Sequence, residues 1–222
     1  MCEGQPGHNT VIVLPVNAHN PHPAGRPDRR PATDELTRRL IDTAGQLLLE
    51  HGVGGLSLRK LATAADTSTM SVYTRFGGKV QLLTAMYREG LARLGSALEE
   101  AAEEEGDSLQ VLAETGRAYR RSALASPTLY GLMFGPPAAG FEPTQEDAAA
   151  AEATYRPLVD AVRRCVDDGQ LVGDSESIAL HLWAVAHGMV SLELAGRLPA
   201  GAEPPEIVYE RSLALAAQPF LA

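Results

Sequence analysis

Between Leu56 and Phe76 the chain carries two short helical patterns separated by a break, and no other feature restricts its fold as much. Ser57 stands in front of Leu58, Leu61, Ala62 and Ala65, spaced i, i+3, i+4, i+7, so one stripe of a helix turns inward. A serine at that place is a favoured cap, because its hydroxyl accepts from a free first-turn amide. The repeat stops at Asp66-Thr67, where aspartate tolerates turn or left-handed backbone. A second helix is expected from Ser68 or Thr69, with Val72 and Phe76 on its inner side. Thr69 and Tyr73, with Met70 and Thr74, form two neighbouring i, i+4 rows on the outer side. Two helices joined by a tight turn, the second with short hydroxyl-bearing side chains outward, suit a helix that enters the major groove of DNA.

The same spacing occurs in helix pairs that only scaffold an all-α protein. There Tyr73 is a half-buried core residue, and Thr69 and Ser71 are ordinary solvated positions. Charge bears on the choice. The 222 residues carry a formal charge of −9, which at first opposes binding to a polyanion. Residues 26–93, however, hold 11 Lys and Arg against 7 Asp and Glu, a balance of +4, and the remainder carries −13. A basic front on an acidic body orients a protein toward nucleic acid. Arg75 sits beside the outer face, Gly77-Gly78 makes the next bend, and Lys79 opens the following helix. A phosphate contact is expected at Lys79, helped by the first-turn amides of that helix.

Residue identity adds to spacing. A first helix ends in His51-Gly52, and Ser57 caps a second that contains Leu61-Ala62. Ser68 leads through Val72-Tyr73 to Phe76, and Lys79 follows. On these residues, 33–86 resembles the N-terminal DNA-binding domain of the TetR family of bacterial transcriptional regulators. The resemblance assigns DNA contacts to Ser57, Thr69, Ser71, Tyr73, Thr74 and Lys79. It departs at Asp66 and Thr67, where Gly-Val is commoner in the family. It departs again at Thr69, where a lysine is frequent, so one positive charge is missing from the reading face.

Residues 1–32 are rich in Pro, Gly, His and Asn without helical period and read as a flexible arm. Arg29 and Arg30 could reach a minor groove from such an arm. His19 and His22 are too few ligands for a metal site, and no cofactor or metal is expected. A helix is expected over 34–50, capped by Thr33, with Leu36, Leu40, Ala44, Leu47 and Leu48 as its core stripe. A long helix follows over 79–105, with Val80, Leu83, Tyr87, Leu91, Leu94 and Leu98 on its buried side. Further helices are expected over 108–125, 127–134, 143–168, 175–197 and 205–217, and no strand. The expected fold is therefore all-α: a three-helix helix-turn-helix domain over 33–86 and a larger helical domain over 87–222. The loop 135–143, with Pro136-Pro137, is the expected mobile piece.

Cys2 and Cys165 give no disulfide framework. No stretch reads as the ~20 apolar residues of a membrane span, and Val11-Ile12-Val13-Leu14 is too short for a signal-peptide core. A soluble, cytoplasmic protein without membrane contact is expected.

The helix expected over 175–197 is apolar nearly all round. Ile178, Leu182, Val185, Met189 and Leu192 make one stripe; Leu180, Trp183, His187, Val190 and Leu194 make another. Ala184, Gly188, Ser191 and Ala195 form a row of small residues that lets another helix approach closely. Such a helix must be covered on more than one side, and a second copy of the chain is a natural cover. Trp183-Ala-Val-Ala-His187-Gly188 also resembles the Trp-x-x-x-His-Gly (WHG) signature of one class of TetR-type C-terminal domain. That resemblance implies a homodimer through helices 175–197 and 205–217 and a small-molecule pocket. Tyr130, Phe134, Tyr155, Trp183 and His187 are the candidate ligand-binding residues, with Met133 and Phe141 as further lining. The other reading of His187 is a core histidine whose ring nitrogen bonds a neighbouring helix.

The expected function is a dimeric transcriptional regulator and repressor, released from a pseudo-palindromic double-stranded operator by a small hydrophobic effector. An all-α enzyme finds little support: the chain has no His-Glu-x-x-His, no Gly-Lys-Ser/Thr phosphate loop and no Cys-x-x-Cys. His181 and His187 are six apart on one helix and point in nearly opposite directions. An adaptor whose helix pair binds protein is the remaining rival.

Overall fold

A computed structural model describes residues 35–135, 141–199, 201 and 203–222. The expectations for the arm over 1–32, for the Thr33 cap and for Pro136-Pro137 lie outside the described residues. Among the described residues the chain is helical, and the only sheet-like pairing is an isolated bridge between Leu171 and Leu221. The helices are α1 (Glu35–Gly55), α2 (Leu58–Ala64), α3 (Thr69–Phe76), α4 (Lys79–Ala102) and α5 (Ser108–Ala125). They continue as α6 (Pro127–Phe134), α7 (Gln145–Asp167), α8 (Ser175–Leu194) and α9 (Pro205–Ala217), followed by a short 3-10 turn, Gln218–Phe220. This is the expected all-α architecture.

Helix ends are where the structure corrects the sequence reading. The first helix passes Glu50 and is interrupted at Gly52, whose φ of 64° is left-handed. The long helix ends at Ala102 rather than 105. At α7, Thr144 and Asp147 exchange side-chain and backbone hydrogen bonds in a capping box, which moves the start from 143 to Gln145. At α8, Gly196 takes a φ of 62° and the Arg197 amide donates to the Leu192 carbonyl at 2.8 Å. This closes the helix at Leu194 instead of 197.

The N-terminal helices pack around Leu40, Ile41, Leu61, Val72, Leu83 and Met86, all buried. Side chains of this kind each contribute roughly 1.5–3 kcal/mol on full burial. Val80 is exposed, against expectation, because Leu82 and Leu83 take the inward positions of that turn. Leu129 of α6 and Phe141 belong to the same cluster, so the core of the reading domain runs on into the C-terminal half. The Phe141 ring lies 5.2 Å from that of Tyr87, which makes it a core residue rather than pocket lining.

The C-terminal half arranges α4, α5, α7, α8 and α9 around two further clusters. Glycines permit the closest approaches. A Cβ on Gly90 of α4 would stand 3.1–3.2 Å from Met133 and Leu129 of α6, and one on Gly116 of α5 would stand 2.8 Å from Leu213 of α9.

One composition-based expectation fails. Helix α8 is long and apolar enough, by length and composition, to cross a membrane. Its inner side, Ile178, Ala179, Leu182, Ala186 and Val190, is instead packed against α5, α7 and α9. Leu180 and Leu194, assigned to a buried stripe by spacing, are exposed along with Leu192. Nothing stands within 4 Å of a Cβ built on Gly188. Helix α9 likewise leaves Ile207 and Leu215 exposed.

Candidate nucleic-acid interface and ligand cavity

The helix pair is held by three local devices. The Ser57 hydroxyl accepts from the Lys60 amide at 3.2 Å and caps α2; the Ser68 hydroxyl accepts from the Ser71 amide at 3.0 Å and caps α3. Between them Asp66 takes a φ of 48°, the left-handed conformation usually left to glycine. The Thr67 amide donates to the Ala62 carbonyl at 2.9 Å and the Asp66 amide to Thr63 at 3.3 Å, a Schellman ending to α2. At the far end Gly77, with φ 77°, closes α3 by donating to the Tyr73 carbonyl.

Val72 and Phe76 anchor α3 inward, and its outer face is open. Met70 is 73 % exposed and Tyr73 57 %, and Thr69 and Thr74 are exposed beside them. Ser71 is half-buried and Ser57 exposed, so four of the six expected contact residues share the free face of α3, and Ser57 stands at the start of α2. Lys79 is held differently. Its Nζ donates to the Val53 carbonyl at 2.5 Å, tying the start of α4 to the segment before α2. An ammonium has three donors, so two remain for a phosphate. Arg75 donates to the Thr37 hydroxyl at 2.9 Å, which binds α3 to α1. Sequence reading passed over Arg59 and Lys60, both exposed in the first turn of α2 next to Ser57. No acid stands in the first turn of α2 or α3, so these amide ends face solvent as positive poles.

The second feature is a partly open cavity of about 760 Å³ bordered by α4, α5, α7, α8 and α9, with α6 along one side. Phe134, Tyr155 and Trp183, three of the five expected ligand contacts, are on its wall, and Met133 joins them. Trp183 lies 5.6 Å from Tyr155 and 6.2 Å from Phe134 between ring centres. Tyr130 and His187 do not line it; they form a layer behind. The Tyr130 hydroxyl lies 2.7 Å from His187 Nδ1 and 2.9 Å from the Tyr119 hydroxyl, and Tyr119 is on the wall. His187 is thus a histidine whose ring nitrogen bonds a neighbouring helix. Burial disfavours its imidazolium and lowers its pKa, and burial raises those of Tyr119 and Tyr130. Neutral His187 accepts from the Tyr130 hydroxyl when its proton is on Nε2, and donates to it when the proton is on Nδ1.

Sequence reading missed much of the wall. Leu91, Leu94 and Leu98 of α4 were read as core, and Leu112, Thr115 and Tyr119 of α5 carried no signal. A leucine facing a void and a leucine facing a neighbour have the same sequence pattern. Reading also missed the ion pairs that join the helices. Arg120 of α5 grips Glu193 of α8 with two bonds of 2.6 and 2.8 Å, and Arg117 meets Glu210 of α9 at 2.8 Å.

Two family models match. One described as bacterial regulatory proteins, tetR family, covers residues 40–86; one described as tetracyclin repressor-like, C-terminal domain, covers residues 112–216. The second span includes residues Trp183 to Gly188. The HTH-type transcriptional regulator Rv1816 of Mycobacterium tuberculosis is 24 % identical over 213 residues, spanning 82 % of this chain and 91 % of its own. The HTH-type transcriptional repressor DrrR1 of Streptomyces coeruleorubidus is 38 % identical over 61 residues, 28 % of this chain and 23 % of its own. Among solved structures, a protein with unknown function from Rhodococcus sp. RHA1 is 32 % identical with a TM-score of 0.71, covering 85 % of this chain and 97 % of that one. The TetR family regulator PfmR from Thermus thermophilus shares the fold at 22 % identity and a TM-score of 0.66, over 81 % of this chain and 97 % of its own. A capped helix pair with an open second helix, set on a hollow helical body and matched at both ends by these models, places the chain in the TetR family of DNA-binding transcriptional regulators, and not among enzymes.

Proposed function

We propose that this regulator is a cytoplasmic homodimeric repressor, released from its operator by a small apolar effector. The observation that carries the reading is that α4 serves both ends. It begins at Lys79, beside the reading helix, and its Leu91, Leu94 and Leu98 form one wall of the cavity. A ligand that binds two α4 positions unequally shifts the spacing of the readers. Two copies of α3, one per subunit, enter successive major grooves of a pseudo-palindrome about 34–36 Å apart. Thr69, Tyr73 and Thr74 read base edges. Ser57, Ser71 and Lys79, with Arg59 and Lys60, contact the phosphates. The domains divide at 86/87, with 33–86 as reader, 87–222 as effector and dimer domain and the arm 1–32 ahead of both.

The exposed Leu180, Leu192 and Leu194 and the open space at Gly188 on α8 support a dimer through α8, with α9 beside it. Phe134, Tyr155 and Trp183 touch the effector, while Tyr130 and His187 position the wall behind them. Repression is supported by the DrrR1 relative, a transcriptional repressor matched over 61 residues.

The decisive experiment is binding of the purified protein to DNA upstream of its own gene, against a scrambled duplex, across a salt titration. Salt-sensitive binding that prefers the native sequence is expected. Binding to neither duplex at low salt refutes the reading and favours the protein adaptor.

A further inference from the structure

Met70 is the second residue of α3 and is 73 % exposed. At 3.6 residues per turn, Met70 and Thr74 stand on the side of the helix opposite the buried Val72 and Phe76. Tyr73 lies on one flank of that pair and Arg75 on the other. Among the described residues, Met70 packs into none of the three apolar clusters. A long apolar side chain thus projects into solvent from the first turn of the reading helix. In helix-turn-helix proteins the N-terminal residues of that helix are the ones that meet base edges.

The residues around Met70 narrow what this face can recognise. Arg or Lys reads guanine, Asn or Gln reads adenine, and Asp or Glu reads cytosine, each through hydrogen bonds in the major groove. Residues 69–74 contain none of these residue types. Arg75 follows, and its Nη1 donates to the Thr37 hydroxyl at 2.9 Å, which draws the guanidinium toward α1. The middle of the face is left to a thioether and to a threonine that carries both a hydroxyl and a methyl. Hydroxyls pair with donors and acceptors alike, so Thr69, Tyr73 and Thr74 leave a choice of base open. Methionine has no N–H or O–H to donate, and its sulfur accepts only weakly. It discriminates bases by apolar contact, and the one methyl group that a base pair shows in the major groove is that of thymine. Its unbranched, flexible stem lets the side chain follow that target.

We infer that Met70 selects a thymine in each half-site of the operator by packing its side chain on the C5-methyl group. The inference rests on α3 being the groove helix and adds to it a residue that determines specificity.

The test uses the full-length protein and the duplex that it selects from a randomised pool. Each thymine of that duplex is replaced in turn by deoxyuridine, which removes the methyl and leaves the hydrogen-bonding groups in place. One thymine per half-site is expected to respond with a loss of about fourfold in affinity, the factor carried by burying one methyl group. Met70→Ala, checked by circular dichroism, is expected to bind the thymine duplex more weakly. It is also expected to lose the distinction between thymine and deoxyuridine at that position. Replacing the same T·A pair by C·G and by 5-methyl-C·G separates the methyl from the base pair. The wild type is expected to bind the methylated form more tightly, and Met70→Ala to bind the two equally. If no thymine responds in the wild type, or the same thymine responds equally in Met70→Ala, the inference is overturned while sequence-specific DNA binding stands. Selection of no preferred duplex refutes instead the DNA reading on which the inference rests.

Discussion

Arg93 of α4 holds Asp42 of α1 at 2.8 Å, while its Nε donates to Glu89 at 2.8 Å and its Nη1 to Ser126 at 3.3 Å. One guanidinium thus joins the reading domain to α4 and to the start of α6. The partners are not equivalent, since Glu89 is buried and Asp42 is half exposed. Arg93→Met strands a buried carboxylate and is expected to cost about 3 kcal/mol, or roughly 6–12 °C in Tm. Asp42→Asn removes a solvent-screened partner and is expected to cost less than about 1 kcal/mol. Thermal unfolding of the two variants checks the order, and equal losses would contradict it.

Asp66 holds the left-handed position that ends α2. Glycine adopts that backbone without the Cβ penalty, so Asp66→Gly is expected to stabilise the protein by about 1 kcal/mol. Urea denaturation measures this as a raised midpoint with unchanged slope. A lowered midpoint would show that the Asp66 side chain contributes more than its backbone costs.

Lys79 and Lys60 separate two roles of a cation near the reading face. Lys79→Ala removes the bond to the Val53 carbonyl, with an expected cost of about 1 kcal/mol, and also a phosphate contact. Lys60→Ala touches no such tie and is expected to lower DNA affinity and the salt slope by about 1 with stability unchanged. Paired melting and DNA-binding curves distinguish the two. If Lys60→Ala leaves the salt slope intact, α2 does not meet the backbone.

His187 links stability to pH. Its folded pKa lies below the ordinary 6.5, because burial disfavours the imidazolium. The unfolded chain therefore takes up the proton first as pH falls, and the contribution, full above about 6.5, is lost progressively below it. The wild type is expected to lose more stability than His187→Gln between pH 7.5 and 5.5. Parallel pH profiles for the two would remove His187 as the group responsible.

The outward row of α8 has its own test. Ala184 is exposed, so Ala184→Glu leaves the monomer fold undisturbed and places a charge in the proposed subunit contact. Sedimentation equilibrium is expected to show a dimer for the wild type and a monomer for the variant. Retention of the dimer would move the interface away from α8.

Local chemistry made the helix pair legible from sequence alone. Ser57 and Ser68 cap the helices where their hydroxyls meet the next free amides, Asp66 makes the turn, and Val72 and Phe76 point inward, all within contacts spanning about a turn. The wall of the cavity was not legible in this way. Leu94 and Leu98 continue the same helical stripe as Leu83, and only the placement of α5, α7, α8 and α9 decides which face a void and which meet a neighbour. The assignment of Tyr130 and His187 to the layer behind Trp183, and of Leu180 to the outside, was likewise decided by packing. So were the partners of Arg93, Arg117 and Arg120, which lie on other helices far along the chain. Sequence periodicity fixes which side of one helix is apolar; it holds no term for the distance to the next helix, and tertiary packing supplies that distance.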